Sequence, residues 1–448
     1  MSYRRVLFYL ICCSLIFILF WSESITVHKE DDSISVDLEF DSPMAVFTPK
    51  SRRATVTDNP DRTWKVFRDD QLVLYAYSAF YDDRDTGDGE VVRVIVVAHK
   101  LDKINLFCVY NYTDGQPVKK IPAQKPAIGA GWSYKKRTLR EYVLFCSCSS
   151  LSIPTTVTIV TNTTSSVHRP FVLPVERPER ATIPQGFVVC PAVLHDHLDP
   201  MFLVEWLEML RLLGVDKVTV YNISLDEPAS SVLRYYYDVD GFVELRQSPY
   251  FVEDERETRR LHQSPAINDC YFRNMYRYEK IIVIDADEII VPRREHTYSS
   301  LIQSINKKIK NKPWSYEFRN EYYFLDMDGD PEQPQNLRTL YHRKHVQVSK
   351  PGYSVKSIQD PNTCTALHNH YCWRFGPKYS KDRIHKVDPK IGTSQHYKTC
   401  HFSKDKCEEM MKKEKTESHM LRYKSELIER TTQSVMRINK MLGNNTIQ

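Results

Sequence analysis

Three carboxylates stand within four positions of one another in the middle of the chain. Asp285, Asp287 and Glu288 follow directly on Ile281–Ile284, an apolar run typical of a strand that is buried on both faces of a parallel sheet. Carboxylates this close repel one another unless a cation lies among them. An Asp-x-Asp at the carboxyl edge of an α/β sheet suits Mn²⁺ or Mg²⁺ that also holds a diphosphate, because hard cations bind carboxylate and phosphate oxygens. A solvated acidic turn is the other interpretation of these residues.

Strand and helix patterns alternate from Gly186 onward, and these elements must position the carboxylates. In chain order we predict strand 187–193, helix 200–213, strand 217–221, helix 230–237, strand 242–245 and helix 266–276. Such an alternation predicts an α/β domain with right-handed crossovers, a mostly parallel sheet and flanking helices. His195, Tyr221 and Asn222 follow the first two strands, where a nucleotide would lie at the switch point of the sheet. A strand cap is the other interpretation of these three residues.

The chain before Gly186 has a different pattern. Short β-rich runs separated by turn residues over 63–168 predict a small antiparallel β domain with no catalytic constellation of its own. The proline-containing stretch 169–185 is predicted to be a linker to the α/β domain.

The first residues are predicted to hold the protein on a membrane. Residues 6–21 are almost continuously apolar and roughly 24 Å long as a helix, and two arginines precede them. We therefore expect a short cytoplasmic tail at 1–5, a signal anchor at 6–21 in the lipid bilayer and a polar stem at 22–62. A cleaved signal peptide is the alternative, although 22–24 offers no good cleavage site.

Cysteines and glycosylation sequons fit a lumenal body. Nine cysteines follow the anchor, so in an oxidising compartment most should pair and at least one should be left over. Zinc is the rival interpretation at Cys364, His368, His370 and Cys372, but their spacing matches no standard zinc half-site. N-x-S/T sequons occur at Asn111, Asn162, Asn222 and Asn444.

Composition excludes several other classes of protein. A formal net charge of +5 over 448 residues, with no basic block, argues against a nucleic-acid partner. The chain has no Gly-rich phosphate loop, no dinucleotide fingerprint and no Gly-x-Ser-x-Gly elbow.

Several short motifs together resemble glycosyltransferase family 92, in their order and spacing. The matching stretches are 205–207 (EWL), 213–216 (LGVD), 266–273 (AINDCYFR), 284–288 (IDADE), 356–358 (KSI) and 396–398 (HYK), with 78–84 (SAFYDDR) near the start. The resemblance covers roughly 63–420. It implies a GT-A-like catalytic domain over 186–430, followed by a C-terminal tail at 431–448.

The resemblance also implies an activity. Its known cases use a divalent metal and transfer galactose from a UDP-sugar, with inversion, onto a glycan. We accordingly expect a single-pass type II enzyme of the Golgi membrane that uses Mn²⁺ or Mg²⁺ and UDP-galactose, with a fucosylated N-glycan core as one candidate acceptor. A non-catalytic, lectin-like ectodomain that kept the fold is the alternative.

The metal and donor residues are predicted as follows. Asp285 and Asp287 should bind the metal and Glu288 should orient them. A histidine from the C-terminal part should complete the site, with His396 the first choice and His368 the second. The residues expected to face the donor are His195, Tyr221, Asn222, Asn268, Asp269, Arg273 and Lys398. Arg273 could meet the diphosphate or pair with Glu288, and a helix-surface residue with an i,i+4 partner is the other interpretation. Lys398 stands where arginine is usual, so it keeps the charge without the bidentate fork.

Inversion needs a general base beside the acceptor hydroxyl. The candidates that follow the acidic motif are Glu321, Asp326 and Asp328, with Asp330 and Asp360 further along the chain. Asp326, Asp328 and Asp330 also resemble a calcium loop, but the distal glutamate of an EF-hand is missing.

Overall fold

The computed structural model describes residues 64–68, 72–112, 120–128, 139–148, 153–161, 172–248, 255–443 and 447. The predicted cytoplasmic tail, signal anchor and stem lie outside the described residues, as do the sequons at Asn162 and Asn444. Within those described ranges, no helix combines the length and the apolar character needed to cross a membrane. The described residues belong to one compact unit that contains both sheets described below.

The first part of the chain forms a β domain. Its strands are β1 (Lys65–Arg68), β2 (Val73–Asp82), β3 (Val91–His99), β4 (Leu106–Asn111), β5 (Lys120–Pro122), β6 (Leu139–Ser147), β7 (Thr156–Thr161) and β8 (Leu173–Glu176). They form one sheet in the order β5-β4-β7-β8-β2-β3-β6, with β1 on β2. All pairs are antiparallel except β2 with β8, which agrees with the predicted antiparallel domain in all but that pair.

The second part contains the sheet that carries the acidic motif. Its strands are β9 (Phe187–Pro191), β10 (Lys217–Asn222), β11 (Val243–Gln247), β12 (Lys280–Ile284), β13 (Glu288–Pro292), β14 (Ser315–Phe324), β16 (Val355–Gln359), β19 (Ile384–Lys386) and β20 (Gly392–Lys398). Two small hairpins add β15 (Lys344–His345) with β21 (Lys415–Thr416), and β17 (Cys364–Leu367) with β18 (Cys372–Phe375).

The large sheet is mixed, so the prediction of a mostly parallel sheet was too simple. The strand order is β11-β10-β9-β12-β16-β14-β20-β13, with β19 on β14. The first four strands are parallel, as the strand–helix alternation predicted. β16 then runs antiparallel to both of its neighbours, and β13 runs antiparallel to β20. After the acidic motif the regular strand–helix alternation ends: β12 and β13 are separated only by the turn at 285–287, and among the described residues no α-helix lies between β16 and β20.

The helices are α1 (Pro200–Leu212), α2 (Ala229–Arg234), α3 (Glu255–Asn274), α4 (Tyr298–Asn306), α5 (Arg338–Tyr341), α6 (Lys404–Met411) and α7 (Lys424–Leu442). A π-helical turn, Tyr235–Val239, extends α2. Helix α3 is much longer than the predicted 266–276, because it runs through Pro265 and a charged first half that shows no apolar periodicity.

Helix α1 supports the acidic motif directly. Asp199 caps its N-terminus by accepting hydrogen bonds from the amides of Met201 (3.0 Å) and Phe202 (3.4 Å). Ten consecutive residues from Met201 are buried, and Gly214, with φ 86°, lies just beyond the end of the helix. Trp206 donates its indole N–H to the backbone carbonyl of Glu288 at 2.9 Å. The helix therefore fixes the backbone at the start of β13.

The β domain is joined to the large mixed sheet through the motif at 78–84. The guanidinium of Arg84 is fully buried and donates to Asp82, to the hydroxyl of Tyr271 (3.0 Å) and to the carbonyls of Pro361 and Cys364. Phe80 belongs to the same apolar cluster as residues of α3 and β12. The β domain thus packs on α3 and on the segment that leads into β17.

Eight of the nine cysteines that follow the predicted anchor form disulfides, as predicted. The pairs are Cys108–Cys146, Cys190–Cys270, Cys364–Cys372 and Cys400–Cys407, and Cys148 is free. Because Cys364 and Cys372 are joined in a disulfide, neither has a thiolate that could bind zinc, which argues against the rival zinc interpretation.

Candidate active site

The acidic motif forms a tight turn between β12 and β13 at the carboxyl edge of the sheet. The amide of Glu288 donates to the Asp285 carbonyl at 3.1 Å, and the amide of Asp285 donates to the Glu288 carboxylate at 3.0 Å. Glu288 is completely buried, whereas the side chain of Asp287 is 38% exposed. Asp287 is therefore the carboxylate of this turn that is most open to a ligand.

His396 lies directly against this turn. The pairing of β13 with β20 places Glu288 opposite His396. The imidazole Nε2 is 3.0 Å from Oδ2 of Asp287, and Nδ1 is 3.1 Å from Oε1 of Glu288. Burial alone would lower the pKa of His396, but Asp287 and Glu288 outweigh it and raise the pKa to about 9. Without a metal, His396 therefore carries a proton at neutral pH.

Lys356 completes the cluster, and sequence reasoning did not assign it a role. Its ammonium is fully buried and lies 2.6 Å from Asp285, 2.9 Å from Glu288 and 3.3 Å from the Asn369 carbonyl. These three acceptors use all three N–H groups of the ammonium. Burial would lower the pKa of Lys356, but the two carboxylates raise it. The available signal was the position of this lysine within the family-like motif at 356–358.

Glu288 is held from several sides. Besides Lys356 and His396, its carboxylate accepts a hydrogen bond from the side-chain amide of Asn320 at 2.9 Å. Burial alone would raise the pKa of Glu288, but Lys356 and His396 hold it well below its usual value. This arrangement suits the predicted role of Glu288 in orienting the ligands around it.

The donor set fits a divalent cation that shares its coordination with a substrate. Among the residues that the structure describes, no group of three or more His, Cys, Asp or Glu side chains is arranged to hold a metal ion. Lys356 pairs with both Asp285 and Glu288. Asp287 and His396 remain as one carboxylate oxygen and one ring nitrogen at 3.0 Å from each other. A cation of this class is commonly held by one or two protein groups together with phosphates and water.

His368, the second histidine candidate, lies in the β17–β18 hairpin next to Asn369. Its ring is buried and stacks on Tyr371, with 5.3 Å between the ring centroids. Burial, with a smaller effect of Lys356, lowers the pKa of His368 to about 4. The described contacts thus bring His396, rather than His368, onto Asp287.

Four of the residues expected to face the donor lie in the protein interior. The Tyr221 hydroxyl donates to Asp269 at 2.5 Å, and Arg273 pairs with Asp269 and with Glu176 of the β domain. Asn268 is fully buried, and its amide exchanges two 2.8 Å hydrogen bonds with the backbone of Leu367. The polar atoms of this group join α3 to β8, β10 and β17, so these contacts lend no support to a donor-binding role, which stays a prediction.

His195, Asn222 and Lys398 remain at the edge of the sheet. His195 is 36% exposed and lies 3.1 Å from Asp196, a residue with a positive φ of 57°. Asn222 is half-buried and accepts a hydrogen bond from the Leu225 amide at 2.8 Å, which is the strand-cap geometry. Burial lowers the pKa of Lys398, while the nearby Asp287 and Glu288 act in the opposite direction. Lys398 therefore lies within electrostatic reach of the acidic motif.

The predicted base candidates differ in how far their carboxylates are already engaged. Glu321 is buried and accepts hydrogen bonds from Arg293 at 2.6 and 2.7 Å and from the Thr393 hydroxyl at 2.9 Å. Asp326 accepts from the Cys400 amide at 2.6 Å. Asp328 is exposed and lines a cleft at the end of β14.

The two later candidates are also in ion pairs. Asp330 pairs with Arg343. Asp360 pairs with Lys280 at 3.3 Å, at the opposite edge of the sheet. Of the two sequons in the described ranges, Asn111 is exposed and Asn222 half-buried.

Strand order and chemistry together define the class of protein. The four parallel strands have the chain order 3-2-1-4, and the acidic motif follows the fourth strand, beside the point where the order reverses. Ligands bind at the carboxyl ends of the strands at such a switch point, and carboxylates with a histidine there suit a metal-bound phosphate. The fold is thus a mixed α/β fold consistent with a glycosyltransferase domain.

Comparison with known families agrees with this. Glycosyltransferase family 92 matches residues 185–436, which is more than half of the chain, and the protein belongs to that family. Family membership makes a nucleotide sugar and a glycan acceptor its general classes of partner. No curated protein matches the chain.

Proposed function

We propose that this protein is a metal-dependent, inverting galactosyltransferase that moves galactose from UDP-galactose onto a glycan. The observation that carries the proposal is the contact between Asp287 and His396 at the switch point of the sheet, next to the buried Lys356. Asp287 and His396 would hold Mn²⁺ or Mg²⁺, and Glu288, Lys356 and Asn320 would keep them in place. When bound, the cation neutralises the charge that develops on the diphosphate leaving group.

The residues around the cluster would bind the donor and accept the proton of the acceptor hydroxyl. Lys398 would add positive charge near the diphosphate, and His195 and Asn222 would border the nucleotide at the ends of the first two strands. The acceptor oxygen forms a bond to the anomeric carbon while the bond from that carbon to the phosphate oxygen breaks, and UDP leaves with the electron pair. The acceptor proton passes to a carboxylate, for which Asp328 is the proposed base because its oxygens are not engaged by other described groups.

The Golgi location is part of the same proposal and is supported by the sequence. Arginines before the apolar segment at 6–21 orient the chain with the catalytic domain in the lumen. Protease treatment of sealed vesicles should leave the chain beyond about residue 22 intact. Digestion of the catalytic domain from outside the vesicles would contradict this topology.

The activity is tested by incubating the full-length protein in detergent with a panel of UDP-sugars and Mn²⁺, with and without glycan acceptors. We expect UDP release that depends on Mn²⁺, is fastest with UDP-galactose and is lost in Asp287→Asn. Release with another UDP-sugar alone would correct the donor. Release that is indifferent to Mn²⁺ and to Asp287→Asn would refute the metal assignment.

A non-catalytic sugar-binding protein is the second candidate. It is favoured by one observation, which is that Lys356 and His396 already neutralise much of the carboxylate charge without a metal. In that case the protein would bind saccharides but release no UDP from any UDP-sugar in the presence of Mn²⁺.

A further inference from the structure

A polar cleft opens beside the candidate active site, at the end of β14. Its volume is about 390 Å³, which falls in the range of small-molecule sites. The side chains that matter for its chemistry are Asp326, Asp328, Gln335, Arg338, Tyr341 and His342. This cleft is on the side of the acidic motif away from the parallel strands, where the nucleotide is proposed to lie.

Two backbone hydrogen bonds connect the cleft to the acidic motif. The amide of Tyr397 donates to the Asp287 carbonyl at 2.9 Å, and the amide of Leu325 donates to the carbonyl of the adjacent Lys398 at 3.0 Å. One strand, β20, therefore separates the motif from the cleft. Two strand spacings correspond to roughly 10 Å. A sugar ring in the cleft would thus lie within reach of a donor sugar held at Asp287.

The lining combines an aromatic ring with uncommitted polar groups. The ring of Tyr341 packs on Gly329, where an added Cβ would lie 2.0 Å from a ring carbon, so only glycine allows this contact. Asp328 and Gln335 are exposed and make no hydrogen bond to another described residue. His342 also lines the cleft, where its ring meets that of Tyr341 edge-on at 5.0 Å between the centroids. A ring face surrounded by such donors and acceptors suits a ligand that carries several hydroxyl groups.

Other ligand classes fit the cleft less well. A calcium ion would need several free carboxylates, but Asp330 pairs with Arg343 and one oxygen of Asp326 is taken by the Cys400 amide. A phosphate or another anion would be repelled by Asp326 and Asp328, and Arg338 already pairs with Asp199 at 2.6 Å. A neutral saccharide avoids both difficulties and matches the hydroxyl-binding groups of the lining.

We propose that this cleft binds the terminal neutral monosaccharide of the acceptor glycan. In this arrangement Tyr341 contacts the face of the sugar, Gln335 and His342 bind its hydroxyl groups, and Asp328 lies next to the hydroxyl that attacks the donor. The proposal rests on the proposed function, because it assigns the acceptor side of the same reaction.

The test is saturation-transfer NMR on the full-length protein in detergent, with methyl glycosides of fucose, galactose and N-acetylglucosamine at millimolar concentration. At least one glycoside should give a signal in the wild type. Gln335→Ala and Tyr341→Ala should each weaken its binding about tenfold, as expected for one lost hydrogen bond or contact. Gln303→Ala, which changes an exposed glutamine on α4, serves as the matched control and should bind like the wild type.

A parallel titration with UDP and Mn²⁺ separates this proposal from the proposed function. All three variants should keep the wild-type affinity for UDP and Mn²⁺, which also shows that they are folded. No signal from any glycoside in the wild type, or undiminished binding in both cleft variants, would overturn the acceptor site. Absence of UDP and Mn²⁺ binding in the wild type would instead overturn the proposed function.

Discussion

Replacing Lys356 with methionine should destabilise the metal-free protein and make its stability depend on Mn²⁺. The lysine ammonium is fully buried between Asp285 at 2.6 Å and Glu288 at 2.9 Å. Methionine has a similar length but no charge, so it leaves the partly buried Asp285 without its cation and the buried Glu288 with His396 alone. Removing one partner of a buried ion pair costs about 3–5 kcal/mol in the free energy of unfolding.

Mn²⁺ should recover part of this loss in Lys356→Met. The substitution frees an oxygen of Asp285 and removes a competing positive charge, so the metal should bind more tightly than in the wild type. Any ligand that binds only the folded state stabilises it by RT ln(1 + [L]/Kd), so tighter binding at the same metal concentration gives a larger gain. The Mn²⁺-induced gain in the free energy of unfolding should accordingly be larger in Lys356→Met than in the wild type.

The assay is urea unfolding of both proteins with and without Mn²⁺. Lys280→Met is the matched control, since Lys280 is equally buried and pairs with Asp360 at 3.3 Å, at the opposite end of β12. It should lower stability without changing the response to Mn²⁺. The reasoning is refuted if Lys356→Met is as stable as the wild type without metal, or if Mn²⁺ stabilises Lys356→Met no more than Lys280→Met.

Two further predictions concern His396 and Arg84. Because the pKa of His396 is raised to about 9, Mn²⁺ must displace a proton from its ring, and Mn²⁺ affinity should rise about tenfold per pH unit and level off near pH 9. Calorimetry in two buffers should show that one proton is released on binding. A pH-independent affinity would contradict this. In the metal-free protein, the stabilisation from protonated His396 is complete below its ordinary pKa of 6.5 and is lost as the pH rises through about 9. Arg84→Met should lower the free energy of unfolding, measured with urea, by about 3–5 kcal/mol because it breaks a buried ion pair. The control Arg180→Met, which breaks a half-exposed pair with Asp83, should change it by less than about 1 kcal/mol. Equal losses in the two variants would argue against the role of Arg84 in joining the two sheets.

The sequence predicted the acidic motif because its signal is local. A β-branched run followed by three carboxylates predicts a strand end and a candidate cation site without knowledge of its neighbours. The four parallel strands were also predicted from a local signal, which is the alternation of strand and helix patterns along the chain. The remaining strands lie beyond the motif, where strands and helices no longer alternate regularly, and their mixed directions are decided by non-local pairing.

The contacts of Lys356 and Asn320 could not be predicted from local sequence patterns, because they depend on which strands pair. Lys356 meets Asp285 only because β16 pairs with β12, and Asn320 meets Glu288 only because β14 and β20 bring them together. The buried positions of Asn268 and Asp269 depend on the rotation of α3 about its axis and on the β17 hairpin packed against it. Their closeness to the motif along the chain made them donor candidates, but closeness along the chain does not fix which way a helix residue points.

The central claim is that Asp287 and His396 hold the divalent cation, and Mn²⁺ binding tests it most directly. Electron paramagnetic resonance of Mn²⁺ with UDP should be recorded on the wild type, Asp287→Asn, His396→Ala and His368→Ala. We predict that Asp287→Asn and His396→Ala lose most of the bound Mn²⁺ while His368→Ala binds like the wild type. Unchanged binding in Asp287→Asn and His396→Ala, or a loss confined to His368→Ala, would contradict the account.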